Sequence, residues 1–199
     1  MKNRVLLLVA FFIMSASALR TAAQDVVLSV GYITAEPAAF NSGWNIGLLG
    51  RYDFTNKFSQ DLGVTYGFAN YNETFLPSTG NAGTYKAHTD LISIRTHSDF
   101  NMINSEKTRF YTGIGPCVNF FSTNSDIIDG AVNAGLGIVV GYETHSFMKT
   151  PWGFFTRARF EYDPQLSEQE YGHYSPFKEQ MSIFEVNVGV SYSFKNKAQ

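Results

Sequence analysis

From Val26 to Phe194 the chain runs through short segments in which apolar residues alternate with small or polar ones. The segment 181–194 shows this best, with Ser182, Phe184, Val186, Val188, Val190, Tyr192 and Phe194 on one face. Ile183, Glu185, Asn187, Gly189, Ser191 and Ser193 occupy the other. A period of two means extended strands whose faces meet different solvents. The apolar register of each segment is expected to be free of Asp, Glu, Lys and Arg, while charge collects on the partner face. An apolar exterior around a polar interior is the pattern of a wall crossing a bilayer. The chain is therefore expected to be all-β, a single antiparallel eight-stranded transmembrane β-barrel.

The strands are expected at 26–34, 44–54, 61–71, 90–100, 109–121, 133–143, 152–163 and 181–194. The connections 55–60, 101–108 and 144–151 are short, whereas 35–43, 72–89, 122–132 and 164–180 are longer. Short turns on one side and long loops on the other suit an outer-membrane barrel with both termini in the periplasm.

A soluble eight-stranded barrel shares length and alternation, but its water-facing strands would carry lysine. Here Lys57, Lys107, Lys149, Lys195 and Lys197 fall in short turns or the tail, and Lys86 and Lys178 in long loops. Outward aromatics gather near strand ends, among them Tyr52, Phe54, Trp152 and Phe194 at one rim and Tyr32, Trp44, Phe68 and Tyr162 at the other. Amphipathic rings favour the two headgroup zones. Pro116 removes a ladder hydrogen bond, so a bulge or irregularity is expected there.

Residues 1–23 have the form of a secretory signal peptide. Lys2 and Arg4 precede the apolar run Val5 to Met14, which is too short to span, and small residues follow. The remainder, 24–199, is expected to be the barrel domain. Removing Lys2, Arg4 and Arg20, and no acid, makes it more acidic than the formal −2 of the whole chain, so no nucleic-acid partner is expected. With Cys117 as its lone cysteine the chain forms no internal disulfide.

Inward positions are expected to hold a polar network of Arg51, Asp53, Asp61, Arg95, Arg157, Arg159, Glu161 and Glu185. Eight strands enclose a space that side chains nearly fill, which argues against a general diffusion pore. Counting across the hairpins sets Arg95 opposite Asp61 and Arg159 opposite Glu185, to within about two residues. Glycines at 113, 115, 135, 137 and 141 leave room for long side chains from the first, second and seventh strands.

The signal segment, the hairpin rhythm and the closing run Val188-Gly189-Val190-Ser191-Tyr192-Ser193-Phe194 resemble the small eight-stranded outer-membrane β-barrel family. The likeness is to its OmpA and OmpX type, in the Bacteroidetes-type branch. It implies insertion by the barrel-assembly machinery, which reads a terminal outward aromatic strand, although Lys195 to Gln199 follow Phe194 here. No peptidoglycan-binding segment follows, so cell-wall anchoring is not implied. The family includes adhesion and envelope-stability proteins, secretion accessories and lipid A-modifying enzymes, and fold analogy does not choose among them.

His173-Tyr174-Ser175 is similar to the His-x-Ser pattern of lipid A deacylases, with Glu179 or Glu185 as a possible orienting acid. Pro176 stands where that family has Asn, so no enzyme is expected. His88, His97, His145 and His173 lack metal-site spacing. No catalytic, cofactor or metal residues are therefore assigned. The expected partners are outer-membrane lipid, the barrel-assembly machinery and an extracellular partner reached through loops 72–89 and 164–180, whose aromatics include Phe75, Tyr85, Tyr171 and Phe177.

Overall fold

The computed structural model describes residues 24–36, 42–75, 83–123, 131–145, 150–164 and 180–194. Residues 1–23 lie outside them. Eight strands follow one another: β1 (Asp25–Glu36), β2 (Gly43–Asp53), β3 (Phe58–Phe75), β4 (Gly83–Asn104), β5 (Thr108–Thr123), β6 (Ala131–Thr144), β7 (Trp152–Asp163) and β8 (Met181–Ser193). Each pairs antiparallel with the next, and β8 returns to β1, so the sheet closes and has no free edge.

Alternation sets the facing. Along β7, exposed and buried residues alternate from Trp152 to Asp163 without a break, with Trp152, Phe154, Thr156, Ala158, Phe160 and Tyr162 outward. Two turns beside the chain ends are closed by hydroxyls that mimic backbone. Thr55 Oγ1 accepts the N–H groups of Lys57 at 3.2 Å and Phe58 at 3.0 Å, and Ser105 Oγ accepts those of Lys107 at 3.3 Å and Thr108 at 3.0 Å. Aromatic pairs mark this turn end: Tyr52 with Phe54, Phe58 with Phe100, and Trp152 with Tyr192. Tyr32 and Trp44 pair at the loop end.

The strands are staggered around the wall. The register that starts at Asp25 passes Arg51, Asp61 and His97, then Gly115, Gly137, Glu161 and Ile183, and reaches β1 again at Ala35. Such shear tilts the strands of a barrel. Side chains that meet across the lumen therefore come from positions that hairpin counting does not align.

Two differences from expectation have physical causes. The β3–β4 ladder continues to Phe75↔Gly83, so most of 72–89 is strand and Lys86 stands in β4. Alternation fades there because only the bilayer imposes it. Asp90 faces outward, contrary to a wholly charge-free register. It lies level with Phe68 at the loop-end rim, accepts a 2.6 Å hydrogen bond from Tyr66 Oη, and lies 3.6 Å from His88 Nε2.

The irregularity expected at Pro116 is present as a lapse of the ladder. Ladder pairing of β4 with β5 lapses between Arg95↔Cys117 and Ser98↔Ile114 with no register shift, and the bulge falls instead at Asn101/Ile103. A missing N–H removes a rung without adding a residue. Gly115 lets the β4 backbone close in at this point, since a Cβ there would sit 1.9 Å from Thr96 O and 2.8 Å from His97 Cα. Gly115→Ala is expected to destabilise the barrel by roughly 1 to 3 kcal/mol, the range of overpacking. At Gly67 a Cβ meets nothing nearer than 3.7 Å, so Gly67→Ala should leave folding unchanged. Urea midpoints of the two variants in detergent check the contrast.

Candidate functional site in the barrel lumen

Side chains fill the lumen in layers. Nearest the turn end, Arg51 pairs with Glu143, lies 3.9 Å from Asp99 and stacks over the Tyr111 ring at 4.6 Å. Arg109 reaches Asp53 at 3.1 Å, Asn101 Oδ1 at 2.7 Å, and Ser59. Val27, Leu49, Tyr111, Val139 and Phe155 form a small apolar cluster in this half.

The middle layer is built around Asp61. Its carboxylate accepts from the His97 backbone N–H and ring Nδ1, both at 2.9 Å, and from Arg157 at 3.1 Å. His97 Nε2 accepts from Arg159 Nε at 3.3 Å, so the partners assign the ring proton to Nδ1. Arg95 forks onto Glu185 at 2.6 and 3.0 Å, the bidentate geometry that suits guanidinium and carboxylate. Arg159 pairs with Glu161 and lies 3.7 Å from Glu185.

Above this, Asn119 Nδ2 donates to Glu161 and, at 2.8 Å, to Asp163. At the loop end Ile33, Leu91, Phe121, Met181 and Ile183 pack as an apolar cluster. The polar interior expected from the sequence lies beneath this apolar layer, and parity already sets its Ile183 on the inward face of β8. The bulky inward residues at the loop ends of β1, β4, β5 and β8 have each other as their nearest partners.

The structure places Arg51, Asp61, Arg95, Arg157, Arg159, Glu161 and Glu185 in the lumen, none more than 4 % exposed, with Asp53 at its turn-end margin. Asp61 stands opposite Arg51 and His97 instead of Arg95, whose neighbour across the hairpin is Gly63. Arg159 does stand opposite Glu185, but the stagger gives Glu185 its close partner in Arg95. Asp25, Arg109, Tyr111 and Asn119, not assigned to the network from sequence, are buried as well. Position parity already set Arg109 and Asn119 on the inward register.

The glycines make room for the seventh strand, as expected, and for the fourth and fifth in place of the first and second. A Cβ on Gly113 would meet Asp99 Oδ1 at 2.0 Å, one on Gly137 would meet Arg159 Nε at 3.0 Å, and one on Gly141 would meet Tyr111 Cζ at 2.2 Å. The side chains they accommodate thus belong to β4, β7 and β5.

Solved structures share this architecture. Neisserial surface protein A is 16% identical, with a TM-score of 0.58 over 85% of this chain and 96% of that one. The outer membrane protein OprG from Pseudomonas aeruginosa is 14% identical, with a TM-score of 0.55 over 86% and 96%. This is an outer-membrane-type β-barrel. No protein-family model matches the chain, and no curated protein does.

Both ring nitrogens of His97 are engaged. Those of the exposed His88 face Asn70 Oδ1 at 3.4 Å and Asp90 at 3.6 Å. His173, Ser175 and Glu179 lie outside the described residues.

Proposed function

We propose that the protein is an integral outer-membrane barrel of the OmpA and OmpX kind, exported through residues 1–23, with both termini periplasmic. Its role is structural or one of surface interaction. The observation that carries this reading is the filled lumen: buried ion pairs from Arg51 to Glu161, with Ile33, Leu91, Phe121, Met181 and Ile183 packed at the loop end. A buried charge in so narrow a space is held by its partner and is not free to line a water-filled path. The wall contacts outer-membrane lipid, the barrel-assembly machinery inserts it, and an extracellular partner is met through 72–89 and 164–180.

Reconstituted into planar bilayers, the purified barrel should give no porin-sized conductance. Stable open channels would overturn the reading. The role is also non-enzymatic: lipid A incubated with the barrel should keep its acyl chains, for wild type and His173→Ala/Ser175→Ala alike. Acyl release by the wild type alone would establish the deacylase instead.

A further inference from the structure

The loop-ward layer of the lumen brings together groups that the sequence separates by some forty positions and that the sheet places on two strands with a third between them. Cys117 and Asn119 are two apart on the inward face of β5, and Glu161 and Asp163 two apart on that of β7. The intervening β6 presents Gly135 and Gly137 here. A Cβ on Gly135 would fall 1.7 Å from Asp163 Oδ1, so the carboxylate occupies the space the glycine leaves. Strands two apart in a sheet are separated by about 10 Å, and side chains meet across that distance only over such a gap.

Ligand atoms of Cys117, Glu161 and Asp163 all lie within 4.8 Å of one another, and all three residues are buried. Asp163 Oδ1 is 3.9 Å from Cys117 Sγ. Among the described residues Glu161 has Arg159 as its ion-pair partner, whereas no Lys, Arg or His pairs with Asp163, which is 0% exposed. Burying a carboxylate without a counter-charge is costly. Independently, Asn119 is 0% exposed and its Oδ1 has no hydrogen-bond partner, although its Nδ2 sits on both carboxylates. A half-turn of the amide, isosteric in shape, presents Oδ1 to the same point. That turn is favourable only with positive charge between the oxygens.

We propose that Cys117 Sγ, Asn119 Oδ1, Glu161 and Asp163 form a luminal site for one borderline-soft divalent cation of the zinc type. One sulfur with three oxygens matches zinc's range of ligands and its four-coordination, and a hard cation such as magnesium or calcium would not use the sulfur. Binding displaces the thiol proton to solvent. The two positive charges of the ion, with Arg159, then balance the thiolate and the two carboxylates.

The test is refolding of the barrel from urea into detergent with zinc or cadmium chloride, followed by gel filtration and elemental analysis. The expected result is one metal per folded barrel and, with cadmium, a thiolate charge-transfer absorption in the ultraviolet. Cys117→Ser should abolish that absorption, and Cys117→Ser and Asp163→Asn should each weaken zinc retention at least tenfold, while His88→Ala changes nothing. Heat-modifiable gel mobility checks that each variant folds. Wild-type barrel that retains no zinc, retention by Cys117→Ser and Asp163→Asn equal to that of the wild type, or bound cadmium without the thiolate absorption would each overturn the site. The last is read on the wild type alone and holds even if a variant does not fold.

Discussion

Removing Arg95 or Glu185 alone is expected to destabilise the barrel by roughly 3 to 5 kcal/mol, the cost of stranding a buried charge, and removing both should cost less than the sum. The pair is bidentate, at 2.6 and 3.0 Å, with both side chains at most 1% exposed. Arg159 stands 3.7 Å from Glu185, close enough to compensate partly when Arg95 is lost. Arg95→Leu should therefore be milder than Glu185→Leu, which leaves two arginines facing a vacated site. A double-mutant cycle by urea unfolding in detergent should give a larger coupling for Arg95 with Glu185 than for Arg159 with Glu185. The reverse order would mean that the stagger of the wall is wrong, since strand neighbours and not cross-lumen partners would then dominate.

That stagger marks the boundary of what the residues disclose in sequence. Facing was legible because a bilayer outside and a polar core inside force a period of two on every strand, so Phe184 and Glu185 could be assigned opposite faces by parity alone. Strand number was legible from the turns. Partnership across the lumen was not, because it depends on shear, a property of the closed sheet that no single hairpin carries. Hairpin counting sets Arg95 against Asp61, two residues from the observed Gly63↔Arg95 register, and shear then gives Arg95 its close partner in Glu185.

The extension of β3 and β4 escaped for a different reason: a ladder in water needs no alternation. Asp90 escaped for a related one, since at the aromatic rim an acid can reach water and a tyrosine hydroxyl. The cluster of Cys117, Asn119, Glu161 and Asp163 left only one trace in sequence, the glycines of β6 whose missing side chains make the meeting possible.

The second large effect concerns the outer wall. Val188 stands mid-strand on the outward face of β8, 53% exposed, between Val30 and Thr156, and Ser182 lies on the same face at the loop-end rim beside Tyr162. An arginine on a lipid-facing strand costs roughly 2 to 4 kcal/mol at the midplane and about 0 to 1 near the interface. A water-facing strand shows no such dependence on depth. The transmembrane assignment is therefore tested most directly by folding Val188→Arg and Ser182→Arg into lipid vesicles and comparing their urea midpoints. The expected result is a large loss for Val188→Arg and a stability near wild type for Ser182→Arg; equal, small losses at the two positions would contradict a wall embedded in the membrane.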